Sequence, residues 1–307
     1  RRKEATHVHR RRHISNRHLS DKYYYAGEHE TVTDIRLTQY NAEALHTTEI
    51  KKGTSSFGKL VDPNKINWFQ VSGLTDSDTI TRIVKEFGLH NLDAKDILTP
   101  QHVVKIEEYA NHVLIILNSS YYDANMEIHS EHISLLVTGN VVITFTESNN
   151  PVFANTMKAL ESDMLNLRKK GSGLLLAFLL NTIIANLVET ASKVEEMLED
   201  IEETLLDIKS DQGNMGSMIQ QRRHEYMLIR KNSQPLKEQF PKLLRTENGI
   251  ISPDMLPIYN DLADQLQFVI QTTESCREII SSLVDLYISN NDLRMNAIMK
   301  RLTVVST

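Results

Sequence analysis

The sequence contains few of the residues that cross-link or interrupt a chain. Its 307 residues include one cysteine, seven prolines and eleven glycines. A single cysteine excludes an internal disulfide and suits a reducing compartment. Because Cys276 falls on the apolar seam of a predicted helix, we interpret it as a small core residue rather than a nucleophile.

Long apolar runs are also missing. A transmembrane helix needs roughly 18 or more consecutive apolar residues, and the chain has no such stretch. The most apolar segment, residues 174–188, is interrupted by Asn181, Thr182 and Asn186. We therefore interpret it as a buried helix of a bundle rather than a membrane span.

The motifs of common enzyme classes are absent. The glycine-containing segments 171–173 and 212–216 lack the third glycine or the Lys-Ser/Thr of phosphate-binding loops. There is no nucleophile elbow, no paired-cysteine motif and no His-Glu-x-x-His. His129 and His132 lie three residues apart in a predicted strand, point to opposite faces and are interpreted as surface histidines. We expect a protein that is not an enzyme.

The first half of the chain has an α+β pattern. Strand-like runs occur at residues 31–37, 67–71, 112–117, 128–137 and 141–145. Helical patterns follow the N-cap candidate Asp76 and cover residues 92–98. Because strands mix with helices, we predict an α/β/α sandwich with a mixed sheet over residues 23–170.

The chain is predicted to be all helical after Pro151, and residues 171–307 form a predicted helical domain. One helix is expected over 151–170, and the next carries an unbroken apolar seam from Leu180 to Ile208. We predict a helical hairpin over 171–246, followed by a coiled-coil-like stalk helix over 252–307. That stalk would be on the order of 75 Å long and ends in a basic and apolar run, so we expect the chain to be a fragment that continues into a membrane.

Charge is unevenly distributed. Residues 1–22 carry eight Lys or Arg and four His against two acids, which predicts a disordered basic tail; contact with anionic lipid or nucleic acid is the alternative. The helix over 189–211 carries nine carboxylates against two lysines. This face is either simply solvated or attracts divalent cations, and its central residues are Glu195, Glu196, Glu199, Asp200, Glu202 and Glu203.

Several motifs resemble the cytoplasmic domain of CorA-type magnesium channels over residues 60–307. In the α/β half they are Phe87-Gly88-Leu89-His90, Leu92, Asp96-Ile97-Leu98, Gln101, Lys105-Ile106-Glu107 and Tyr109. In the stalk they are Leu283-Val284-Asp285-Leu286-Tyr287, Asn296, Met299-Lys300 and Leu302-Thr303. The Gly-Met-Asn that closes the family's first transmembrane helix would lie beyond Thr307.

The resemblance implies a homopentamer around an axial pore, in a cell inner or plasma membrane with this portion in the cytoplasm. It implies pore-lining roles for Asp285, Asn296 and Met299, and helical geometry adds Asp292 to the same stripe, about 60° wide. Leu302 lies about 100° from that stripe and is a weaker pore candidate. Carboxylates and amides would hold hydrated cations, and methionines could close the pore by dewetting.

The resemblance also implies that divalent ions bind between subunits and regulate the gate. Asp96 matches the ligand of the α/β domain and Asp261 the ligand of the stalk. Lys95 and Asn181 stand where the family often has acids, so we expect weaker or more hydrated sites. Mg²⁺ is the expected ion, with Co²⁺, Ni²⁺ or Zn²⁺ possible.

Two alternatives remain open. One is the zinc-transporting branch of the same family, whose closing motif differs. The other, from a different class, is a soluble coiled-coil scaffold that binds partner helices along the stalk. A nucleic-acid partner is not expected.

Overall fold

The structure, a computed structural model, describes residues 16–100, 103–207, 212–245 and 247–306. Within these ranges a seven-stranded mixed sheet has the order β2-β1-β3-β7-β6-β5-β4, and only the β3–β7 pair is parallel. The strands are β1 Asp34–Tyr40, β2 Leu45–Glu49, β3 Ile66–Ser72, β4 Lys105–Glu108, β5 His112–Tyr122, β6 Ile128–Thr138 and β7 Val141–Thr146. This α+β architecture confirms the predicted fold class.

Helices cover both faces of the sheet. Helices α1 Ser77–Glu86 and α2 Asn91–Ile97 pack on one face, where alternate β5 residues such as Leu114 and Ile116 join their core. The opposite β5 residues, Val113 and Ile115, point into a larger core shared with the long helices. This alternation of buried side chains on both faces is expected for a sheet covered twice.

The long helices form the rest of the molecule. They are α3 Ala154–Glu161, α4 Ser172–Leu206, α5 Met215–Gln239, α6 Pro241–Leu244 and α7 Leu256–Ser306. Helix α4 packs against α7, α5 and β5. The predicted seams consist of residues at alternating steps of four and three. Their α4 members from Leu180 to Leu205 and their α7 members from Leu262 to Leu283, including Cys276, are buried.

One predicted helix is wrong. Residues 151–170 form α3 and then a separate 3₁₀ segment, Met164–Lys169, rather than one helix. The Arg168 side chain turns back and donates hydrogen bonds at 2.6 Å to the carbonyl oxygens of Leu160 and Glu161. These bonds satisfy the end of α3, where Asp163 adopts a positive φ of 49°, so the helix stops there.

The structure describes the last part of the predicted basic tail, residues 16–22. Asn16 is buried, and its side-chain amide donates to the Tyr24 carbonyl oxygen at 2.7 Å and to Thr99 Oγ1 at 3.1 Å. Lys22 pairs with Asp78 on α1 at 2.8 Å. Residues 16–22 therefore lie against the α/β layer, whereas the predictions for residues 1–15, Gln101, Ile208, Asp211 and Thr307 concern positions outside the described residues.

Among the described helices, α4 is the one long and apolar enough to cross a membrane by length and composition. Of its most apolar window, 61% is buried inside the molecule. Leu175, Leu179 and Ile183 are fully covered by neighbouring elements, as in the core helix of a bundle. The prediction of a buried bundle helix for residues 174–188 is confirmed.

Candidate metal centre

Asp96 lies in the last turn of α2, a helix whose start is well defined by its sequence. The His90 ring accepts from the Leu92 amide at 3.1 Å, and the Asp93 carboxylate accepts from the His90 amide at 2.9 Å. This reciprocal cap fixes the first turn and so the direction of the side chains that follow. Asp96 is 8% exposed and faces strand β4.

Strand β4 supplies the charges around Asp96. Lys105 Nζ lies 2.6 Å from Asp96 Oδ2 and 3.1 Å from Glu107 Oε1. Lys105 and Glu107 are two residues apart in a strand, so their side chains share one face. The Tyr109 hydroxyl donates to Glu107 Oε2 at 2.5 Å and fixes this carboxylate from the other side.

Burial and pairing shift the pKa values in this cluster. Burial lowers the pKa of Lys105, but its hydrogen bonds to Asp96 and Glu107 outweigh that and leave the pKa raised. Burial raises the pKa of Glu107, and the Tyr109 and Lys105 hydrogen bonds reverse this to a net lowering. For Asp93 burial dominates and raises the pKa. The Lys105 ammonium therefore stays charged between the carboxylates of Asp96 and Glu107.

The outer edge of β4 is held by the helical layer. Gln239 Oε1 of α5 accepts from the Ile106 amide at 3.3 Å, and Lys242 Nζ of α6 donates to the Ile106 carbonyl oxygen at 3.0 Å. These two contacts satisfy backbone groups that an edge strand otherwise leaves open. They fix the strand that carries Lys105 and Glu107.

Asp261, the second predicted ligand, is exposed on α7. Its Oδ2 accepts from Gln265 Nε2 one turn along the same helix at 2.7 Å. Within the described chain this hydrogen bond joins Asp261 to its own helix and not to Asp96.

The predicted pore stripe lies on the free end of α7. Asp285, Asp292, Asn296, Met299 and Leu302 are all exposed. Residues 291–305 are exposed without interruption, and we call this segment the exposed end of α7. Just before it, the Asn290 side chain donates to the Leu205 carbonyl oxygen at 2.9 Å and to Gln212 Oε1 at 3.2 Å, which ties α7 to the end of α4.

The acidic face of α4 is largely exposed to solvent. Five of its central residues are exposed and Glu195 is half-buried. Lys193 pairs with Glu196 at 2.6 Å. Lys95 and Asn181 stand where the family often has acids, and neither belongs to this face. Lys95 Nζ is 6.0 Å from the centre of the Tyr23 ring, and Asn181 is exposed.

The interpretation of both histidines as surface residues is wrong for His132. Its ring is buried and its Nε2 lies 3.0 Å from the Ile97 carbonyl oxygen, because the β6 face that carries it is covered by α2. His129 is exposed, and it forms with Asp123 and Glu127 a group whose ligand atoms lie within 4.8 Å of one another. Exposed carboxylates at a hairpin turn are well solvated without an ion, so we assign this group no role.

Comparison with known proteins gives the family of the chain. Residues 63–307 match the family model "CorA-like Mg2+ transporter protein". The chain is 27% identical over 287 residues to the cobalt/magnesium transport protein CorA of Thermotoga maritima, covering 92% of this chain and 80% of that protein.

Solved structures share the fold. The complete CorA magnesium transporter of Methanocaldococcus jannaschii matches with a TM-score of 0.70 at 19% identity, over 90% of this chain and 83% of that one. The cytoplasmic domain of ZntB from Vibrio parahaemolyticus matches with a TM-score of 0.65 at 12% identity, over 84% of this chain and 98% of that one. The family match covers most of the chain, and the chain therefore belongs to the CorA-like Mg²⁺ transporter family.

Proposed function

We propose that this chain forms the cytoplasmic part of a homopentameric channel for Mg²⁺ or related divalent ions, and that ion binding between subunits controls its gate. The observation that carries the proposal is the exposed end of α7. There Leu293, Met295, Ile298 and Met299 are each 60–64% exposed within one continuous run of exposed residues, 291–305. An apolar surface of this kind marks an interface with protein or lipid.

The C-terminal part of α7 suits a pore because one of its faces carries a polar stripe. Asp285, Asp292 and Asn296 share this stripe with Met299, whereas Leu302 lies about 100° and Ile298 about 140° from Asp285 around the helix. In a ring of copies, the acidic and amide side chains would hold hydrated cations and the methionines would form an apolar constriction. The remaining apolar side chains would contact neighbouring helices.

Ion sensing would use Asp96 and Asp261. Carboxylate oxygens are the ligands that Mg²⁺ prefers, and both residues supply them: Asp261 is exposed on α7, and the Asp96 side chain keeps 12% of its surface accessible. Two carboxylates facing each other across an interface repel unless a cation lies between them. Loss of the ion would therefore loosen the ring, and the acidic face of α4 would gather cations nearby.

We further propose that residues 23–170 carry the sensing half and residues 171–307 the helical half. The portion described here would lie in the cytoplasm, with the transporter in a cell membrane. The large core shared by the sheet and α4 supports mechanical coupling between the two halves, because packed cores transmit displacements.

Light scattering during size-exclusion chromatography, with Mg²⁺ or with chelator, tests assembly and sensing. We expect Mg²⁺ to favour a pentamer and Asp96→Ala or Asp261→Ala to abolish the Mg²⁺ dependence. Asp264→Ala is the matched control, because Asp264 is an exposed carboxylate one turn from Asp261 on the same helix. If Mg²⁺ changes neither mass nor thermal stability, Asp96 and Asp261 are not sensing ligands.

A second candidate cargo is Zn²⁺, because the fold also matches the ZntB cytoplasmic domain. Carboxylates bind both ions, but Zn²⁺ usually takes nitrogen or sulfur ligands as well, which favours Mg²⁺ at Asp96 and Asp261. Repeating the assembly assay with Zn²⁺ at equal free concentration separates the two. A pentamer that forms with Zn²⁺ and not with Mg²⁺ would favour the zinc branch.

A further inference from the structure

The ammonium group of Lys105 contacts the Asp96 carboxylate. A metal ion that binds to Asp96 would therefore compete with this ammonium group for the same carboxylate. The ammonium group touches Asp96 Oδ2 at 2.6 Å and Glu107 Oε1 at 3.1 Å, and the side chains of Lys105 and Asp96 are only 17% and 12% exposed. The chain therefore carries its own cation beside the proposed sensing ligand. An ion that approaches this carboxylate meets a positive charge already held there.

We propose that Lys105 is an internal competitor for the divalent ion at Asp96 and sets the ion concentration at which the site fills. This inference rests on the proposed sensing function and adds to it the residue that determines the threshold. A divalent ion wins because it carries two charges, but it must first displace an ammonium in direct contact. A site built in this way stays weak enough to respond to changes in a plentiful ion.

Glu107 gives the displaced ammonium a second position. Its Oε1 already contacts Lys105, and its carboxylate is 36% exposed on the side chain, so the ammonium can remain paired there while the ion takes Asp96. Tyr109 holds the other oxygen of Glu107 at 2.5 Å and keeps this second position in place. The charge of Lys105 therefore stays compensated in both states.

The exchange needs only a side-chain movement. Ile106, between Lys105 and Glu107, is anchored by Gln239 and Lys242, and its side chain is fully buried. The backbone of β4 is thus fixed, while lysine has four side-chain torsions with which to move its ammonium.

The test is the affinity of the whole 307-residue chain for Mg²⁺ by isothermal titration calorimetry, together with the Mg²⁺ concentration at half-maximal thermal stabilisation. Lys105→Met should lower the apparent Kd by roughly tenfold, the order expected when a like charge in contact with a partly solvated ligand is removed. Lys105→Arg keeps the charge and should bind within about twofold of the wild type.

Lys95→Met is the matched control. It removes a lysine next to Asp96 in sequence whose ammonium lies over the Tyr23 ring instead. A general electrostatic effect would tighten Mg²⁺ binding in both methionine variants alike, whereas competition tightens it in Lys105→Met alone. A merely structural role for Lys105 would lower the melting temperature without lowering the Kd.

The outcomes separate this inference from the proposed function. Binding that is lost in Asp96→Asn but equal in Lys105→Met and Lys95→Met overturns the competitor and leaves the sensing site. Binding that is unchanged by Asp96→Asn overturns both. Where Lys105→Met does not melt cooperatively, Lys105→Gln replaces it in the same comparison.

Discussion

The cluster around Asp96 and the exposed end of α7 both carry predicted functional residues, but they differ in burial and in pairing. Around Asp96 the side chains are largely buried and joined by hydrogen bonds of 2.5–3.1 Å within one chain. On the exposed end of α7, residues 291–305 are exposed without a break. The charged side chains of one region are paired within the chain, and the side chains of the other are open to solvent.

The difference shows where function depends on folding and where it depends on assembly. On the proposed function, substitutions near Asp96 should act on the stability of a single chain as well as on ion binding. Substitutions in residues 291–305 should act on assembly and transport while leaving the fold of a single chain intact, because exposed positions contribute little to stability.

The largest expected effect compares two isoleucines. Ile106→Ala on β4 removes a fully buried side chain and should lower the free energy of unfolding by about 2–5 kcal/mol. Ile298→Ala in the exposed end of α7, where the residue is 61% exposed, should change it by less than about 0.5 kcal/mol in the dissociated chain. Urea denaturation of both variants in chelator measures this. Equal losses would mean that residues 291–305 are packed within one chain.

A smaller difference in the free energy of unfolding is expected between two variants that each lose a tyrosine-to-carboxylate hydrogen bond. The Tyr122 hydroxyl donates to the buried carboxylate of Glu225 at 2.8 Å, and the Tyr109 hydroxyl donates to the more exposed Glu107 at 2.5 Å. Tyr122→Phe should cost about 1–2 kcal/mol because a buried charge loses a donor, whereas water replaces the donor in Tyr109→Phe at a cost below about 0.5 kcal/mol. Thermal unfolding of the two variants decides whether burial controls the value of the bond.

The periodicity of apolar residues in the sequence correctly predicted which face of each long helix is buried. Leu262, Leu266 and Val269 lie on the α7 seam because an apolar stripe must face the core, and the structure buries all three. The same signal fails for short edge strands. Strands β2 and β4 read LHTTE and KIEE, mostly polar, and pairing with one neighbour holds them in place.

Contacts between distant segments could not be read from a local pattern. The ion pair of Asp96 with Lys105 depends on how a helix end meets an edge strand, and the end of α3 depends on Arg168 reaching back to Leu160. His132 is buried because α2 covers its face of β6. The roles of Asp261 and of the stripe on α7 depend on other copies of the chain, so they stay predictions.

The smallest expected effect is the pH dependence that Glu147 contributes. This carboxylate accepts from the Tyr25 hydroxyl at 2.5 Å and from the His132 amide at 3.2 Å, yet burial outweighs both and raises its pKa. The neighbouring Glu131 adds to the rise and His29 opposes it. The folded state thus holds the Glu147 proton more tightly than the unfolded state does.

A raised pKa fixes the sign of the change. The contribution of Glu147 to stability is fully present below its ordinary pKa of 4.5 and is lost as the pH rises through the raised value. The stability of the wild type relative to Glu147→Gln should therefore fall as the pH rises above 4.5 and through the raised pKa, measured by urea denaturation over a pH series that starts below 4.5. A stability difference that stays constant across that pH series would contradict a raised pKa for Glu147 in the folded state.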